Sequence, residues 1–179
     1  MEQRGANEAG FKQAQMDYLD EVHDAIMNRV LSKPTVAIGS SSAAEIKVTT
    51  ATQIVVDGVI GTDVPAAEIA FTATTHDITA VAASVQEAVY LLSAVVAGTV
   101  TITKGTTATG AGNALIPATP ANSVAFGYLR LAVAAGSTDF DASSDDLSAA
   151  HLTDTYVDLS GVELGRFNEA WAAGGVTAE

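Results

Sequence analysis

The sequence predicts a mainly β protein: an antiparallel β-sandwich or barrel-like module preceded by a long N-terminal amphipathic α-helix. Three observations carry that prediction. Up to Lys33, apolar residues recur every three or four positions. Beyond Pro34, short β-branched runs alternate with turn residues about every ten positions. No helix-length crossover separates those runs, which argues against a parallel α/β sheet. The chain then divides into a helical arm at 1–33, a linker at 34–45, a β module at 46–160 and a tail at 161–179.

In the arm the recurring positions are Phe11, Ala14, Tyr18, Val22, Ala25/Ile26 and Arg29/Val30, one stripe of a helix capped by Asn7. Pro34 predicts the stop, because a residue before proline is driven out of α space. At 1.5 Å per residue the rod is roughly 35–40 Å long. So narrow a stripe cannot hold a helix alone in water. The rod must lie on the β module, pair with copies of itself, or bind another protein. We therefore take Phe11, Tyr18, Val22, Ile26 and Val30 as candidate docking or assembly residues.

The tract at 35–44 holds Gly-Ser-Ser-Ser and reads as a linker. Strands are predicted at 46–50 and 53–56, and Asp57-Gly58 signals a tight hairpin returning through 59–63. Pro65 ends that run, and 68–74 is the next strand. Residues 85–96 admit a helix by length and a strand by parity. The strand is favoured because Gly98 and the β segment 99–104 follow at hairpin distance. A glycine-rich surface loop at 106–113 and a connector bracketed by Pro117 and Pro120 lead to the clearest strand, 126–134. Acidic turn residues at 137–146 precede a last strand at 153–159. In the tail, Leu164, Phe167 and Trp171 fall on one side of a short helix ended by Gly174-Gly175. Phe167 and Trp171 complete the docking candidates.

Composition narrows the function classes. Apolar residues make up 48% of 179 residues, but aromatics only 6%, so the core is thin and neighbouring subunits are expected to add stability. The net charge is −13, with fifteen acids against four bases beyond residue 33. Such a surface repels phosphate backbones and argues against nucleic-acid binding. No cysteine is present, which removes thiolate metal sites and disulfides. The N-terminus lacks the apolar core of a secretory signal, and the most apolar run, 89–100, is too short to cross a bilayer. The expectation is a soluble protein made in the cytoplasm, with no membrane contact.

Chemistry is hard to find. His23, His76 and His151 sit in no zinc-type spacing, and His76 reads as a turn histidine bonded to backbone. Gly110-Ala111-Gly112 has two glycines of a dinucleotide fingerprint but lacks the third and any following helix. No Gly-x-Ser-x-Gly elbow occurs. Asp139, Asp141, Asp145 and Asp146 place oxygens at spacings that suit Ca²⁺, yet the central glycine and terminal glutamate of an EF-hand-type loop are missing. A solvated acidic turn is the better reading. No catalytic residue, metal site or cofactor is assigned.

One pattern adds to this. Asp57-Gly58, Ile69-Ala70-Phe71-Thr72, His76-Asp77-Ile78, Ala97-Gly98-Thr99-Val100-Thr101, Pro117 to Pro120, Phe126 to Leu131, Asp139-Phe140 and Asp146-Leu147 follow one another in order. Across about residues 50–160 this resembles small β-rich virion proteins of tailed bacteriophages. The resemblance implies a non-enzymatic module displayed on the particle, commonly as an oligomer, attached through a separate terminal element. The leading expectation is a capsid decoration, or cement, protein. It would bind the major capsid protein, trimers being the favoured oligomer, and be made in the host cytoplasm for the virion surface. The alternative is a tail or head-fibre component with a receptor-facing β module. A glycan-active or lectin-like module is a third reading, from another class.

Overall fold

The computed structural model describes residues 27–32, 34–39 and 44–159, together with Gln13, Gln15 and Met16. Most of the expected arm helix, and the whole tail from residue 160, lie outside the described residues. What is described is mainly β, and its sheets are antiparallel.

In chain order the strands are β1 (Arg29–Val30), β2 (Val36–Ile38), β3 (Glu45–Val48), β4 (Ile54–Val56), β5 (Val59–Ile60) and β6 (Glu68–Ala70). Then come β7 (Gln86–Val95), β8 (Val100–Lys104), β9 (Ala108–Thr109), β10 (Ser123–Val133) and β11 (Leu152–Asp158). The large sheet runs β11-β10-β7-β8, with β9 added to the start of β7. Two smaller sheets, β1-β4-β5 and β2-β3-β6, supply the remaining strands.

Strand β7 is long because Val89, Tyr90, Leu91 and Leu92 are apolar on both parities, and both its faces are buried. Its even face (Ala88, Tyr90, Leu92, Ala94) joins Leu129, Leu131 and Val133 of β10, Ile46 and Val48 of β3, and Ile54 and Val56 of β4 in one core. Strand β10 must present Val124 and Phe126 to that core, and then Leu129, one residue out of step with the alternation. A β-bulge solves the mismatch. Ala125 faces Ser93 while Gly127 faces Leu92, so β10 spends an extra residue at Phe126. Gly127 suits the bulge, since a Cβ there would lie 3.1 Å from the Val157 carbonyl.

The Asp57-Gly58 turn forms as its sequence signals. Both residues have positive φ (51° and 75°), the geometry that lets a two-residue loop follow strand twist.

Two expectations are corrected. The helix does not run through the whole of the predicted arm, 1–33: Arg29 and Val30 pair with Val55 and Ile54 as β1. The hairpin tip captures the chain there, through Gly58 N–H to the Met27 carbonyl (2.9 Å) and Asp57 N–H to Asn28 Oδ1 (2.9 Å). These long-range bonds outweigh the local helical spacing. Nor is 34–45 only a linker. Val36, Ala37 and Ile38 pair with β3 as β2, and Ala44 is fully buried. The Ser tract itself, 40–42, lies outside the described residues.

Candidate functional site

The candidate docking residues do not come together as one described surface. Phe11, Tyr18, Val22, Ile26, Phe167 and Trp171 lie outside the described residues. Val30 is described, and it belongs elsewhere: it packs against the core beside Ile54. It is therefore a structural residue, because pairing as β1 turns it inward.

Exposed apolar side chains lie where the arm enters. Leu31 is 42% exposed, Val59 54% and Ile60 63%. Leu31 follows β1, and its N–H bonds the Gln53 carbonyl (2.8 Å). Val59 and Ile60 form β5, the outer strand of the same small sheet. Ile60 pairs with Val55, which also faces Arg29, so β4 stands between this edge and β1. Sequence reading missed it, because Val59-Ile60 is indistinguishable from any buried β-branched pair.

A buried polar group holds the opposite face of the large sheet. The Glu87 side chain is 3% exposed and forms an ion pair with Arg130, one strand away. Its two oxygens also accept the N–H groups of Gly112 (2.9 Å) and Ala114 (3.3 Å). Gly110 N–H bonds the Val85 carbonyl (2.9 Å), and Asn113 Nδ2 donates to the Thr109 carbonyl (2.8 Å). The glycine-rich loop is thus strapped to the sheet. Beyond it Ile116 packs with Leu91, Ala125 and Leu159. Arg130 and Glu87 are lone charges in apolar runs, and that is the one signal a sequence offers for such a pair.

A third cluster joins the 71–80 loop to the core. His76 Nδ1 accepts the Thr72 N–H (2.8 Å), so the neutral ring carries its proton on Nε2, hydrogen-bonded to the Ile102 backbone. The Tyr90 hydroxyl donates to the His76 carbonyl, and Lys104 Nζ to the Asp77 carbonyl. Phe71 meets His76, Tyr90 and Phe140 edge-on, with centroids 5.0–6.2 Å apart. Burial lowers the pKa of His76, and it also lowers that of Lys104 and raises that of Tyr90. The histidine is bonded to backbone, as its turn position suggested.

This fixes a pH dependence. His76 is held neutral in the fold, while in the unfolded chain it takes up a proton near its ordinary value of 6.5. The unfolded state therefore binds more protons as the pH drops, and stability is full above 6.5 and declines below it. Urea midpoints measured between pH 7.5 and 5 are expected to fall through this window. In His76→Asn, whose amide oxygen can accept from Thr72, that limb should flatten. An unchanged slope would show that His76 is solvated.

The acidic turn is occupied by its own backbone. Asp141 accepts from Ser143 N–H (2.8 Å), Asp146 from Ser148 N–H (2.8 Å), and Asp145 from Asp141 N–H (2.8 Å). Hydrogen bonds from Ser143 and Ser148 lower the pKa of Asp141 and Asp146. Asp139 instead reaches Ala80 N–H (2.8 Å) and ties the turn to the 78–80 segment. The Asp141 and Asp146 bonds, each to the N–H two residues on, are Asx turns.

Finally, an open groove of about 420 Å³ lies between the 62–69 segment and the β7–β8 turn. Pro65, Ala67 and Ile69 face Ala97 and Val100 across it, with Asp63 as its charged side chain. Gly98 (φ 76°) makes the close approach possible: a Cβ there would lie 2.8 Å from the Asp63 carbonyl.

Compared with family models, curated proteins and solved structures, the chain finds no match in any of the three.

Proposed function

We propose that the chain is a non-enzymatic virion structural protein of a tailed bacteriophage, and specifically a capsid decoration protein that binds the major capsid protein and stabilises the head. Its body is then a β-sandwich, the large sheet covered on its core face by the two small ones, and the amphipathic arm is the attaching element. The observation that carries the reading is the set of exposed apolar side chains on the small β1-β4-β5 sheet, Leu31 just after β1 and Val59 and Ile60 on β5.

Two further observations support it. The buried polar groups described above are tied to backbone or to each other, so they serve rigidity. The charge of −13 keeps an outward-facing body from associating without its partner. Each 100 Å² of apolar surface buried against the shell adds roughly 2.5 kcal/mol. Repeated over many copies, and in trimers, this braces a head under internal pressure.

The test is a reconstruction of isolated particles. Density for the β body at threefold or quasi-threefold positions of the head, lost in an Ile60→Asp, Val22→Asp variant, is the expected result. Finding the protein only on tails, at a few copies per particle, would replace this reading with the fibre one.

A further inference from the structure

Strand β11 ends the large sheet on one side, and its outer edge is open. Ala134 N–H bonds the His151 carbonyl and Leu159 N–H the Phe126 carbonyl (both 3.0 Å), so the odd-numbered residues of β11 bond to β10. The main-chain groups of Leu152, Asp154 and Tyr156 therefore point away from the sheet. The Leu152 N–H is taken by the Ala149 carbonyl (2.9 Å). Asp154 and Tyr156 keep both N–H and carbonyl without a partner among the described residues, and no described strand lies beyond β11.

The same edge is acidic. Leu152 and Tyr156 pack against the core, and Asp154 stands between them on that face, half-buried. No ion pair reaches its carboxylate among the described residues: Lys47 pairs with Glu68, Arg130 with Glu87, and His151 stands 3.8 Å from Asp145. Burial raises the pKa of Tyr156, and the charges of Asp154 and Asp146 raise it further, so both carboxylates lie near its hydroxyl. A carboxylate withdrawn from water in this way is costly until a cation meets it. A second copy of the chain is a poor occupant. Twofold pairing centred on Asp154 sets that residue against itself, and pairing centred on Tyr156 sets it against Asp158. Like charges directly opposed across two strands are destabilising.

We propose that β11 is the docking edge for an extended, basic segment of a partner protein, which adds a strand to the large sheet. Main-chain bonds at Asp154 and Tyr156 hold the segment, and a Lys or Arg side chain opposite Asp154 meets its charge. Asp158 shares the parity of Asp154, so basic residues four apart in the segment match both. The proposal does not depend on the capsid reading.

The probe is a synthetic peptide, Thr-Lys-Thr-Val-Thr-Lys-Thr, added to the full-length protein, with Thr-Glu-Thr-Val-Thr-Glu-Thr as its control. Saturable binding of the lysine peptide alone is expected, weakening as salt is raised. Amide exchange should slow at Asp154 and Tyr156, whose N–H groups point outward, and stay unchanged at Thr153 and Thr155, which already bond to β10. Asp154→Asn should weaken binding roughly two- to fivefold, as loss of an ion pair near the surface predicts. Asp154→Lys should turn the preference toward the glutamate peptide, with the far-UV spectrum of the free protein unchanged. Equal binding of the two peptides to the unaltered protein, or none, would overturn the proposal. So would slow exchange at Asp154 and Tyr156 before any peptide is added. At monomer mass that result puts the chain's own residues on the edge, and at dimer mass a second copy.

Discussion

Glu87→Ala is expected to destabilise the protein by about 3 kcal/mol, the lower end for breaking a buried ion pair. The lower end applies because Arg130 keeps 21% of its side chain exposed and regains some water when its partner is removed. Two further groups lose their acceptor, the N–H groups of Gly112 and Ala114. In a domain of this size the loss corresponds to a drop of about 6–12 °C in Tm. Urea denaturation measures the first figure. Amide exchange at Gly112 and Ala114 locates the change, since both should speed up more than residues in β10. The double replacement Glu87→Leu, Arg130→Leu should recover only part of the loss. It removes the stranded charge but leaves the strap's N–H groups without a partner. A loss below about 1 kcal/mol in the single variant would mean the pair is solvated and the strap is held by Ile116 instead.

Phe140→Ala is expected to cost about 3–5 kcal/mol, as for other large aromatics removed from a core. Phe140 is fully buried, and its ring stands edge-on to Phe71 at 6.2 Å. Its backbone exchanges two hydrogen bonds with Ile78, at 2.9 and 3.0 Å. The side chain therefore clamps the 137–146 turn onto the loop that carries His76. Its removal should weaken the near-UV circular dichroism of the aromatic cluster as well as lower the urea midpoint. A small loss with unchanged near-UV signal would show that the turn opens independently of the sheets.

The parts of the fold that were legible share one property: local pattern and long-range packing agree. Asp57-Gly58 makes the same turn alone or in a sheet, and β7, β8, β10 and β11 carry β-branched runs that a helix would accommodate poorly. The ambiguous 85–96 segment resolves as a strand because both its faces find cover, the core on one side and the strap on the other. The arm's end and the 36–38 segment were misread for the opposite reason. Val30 continues a helical spacing, and Val36 to Ile38 are flanked by loop residues. Each becomes a strand only because a partner strand, β4 or β3, is present to pair with it.

The candidate site shows the same division. Residue type alone determined that the body is acidic and cysteine-free, that its turns sit where glycine and aspartate allow positive φ or Asx geometry, and that lone charges such as Glu87 and Arg130 need an explanation. These are properties of single residues and near neighbours. Tertiary structure decided that those two charges, 43 residues apart, meet beneath a loop. It also decided that Val30 faces inward while Val59 and Ile60 face water, and that Gly98 brings two distant segments together to form a groove. Apolar residues of the same kind are interchangeable in a sequence; only the sheet that ends beside them determines which are covered and which are left exposed.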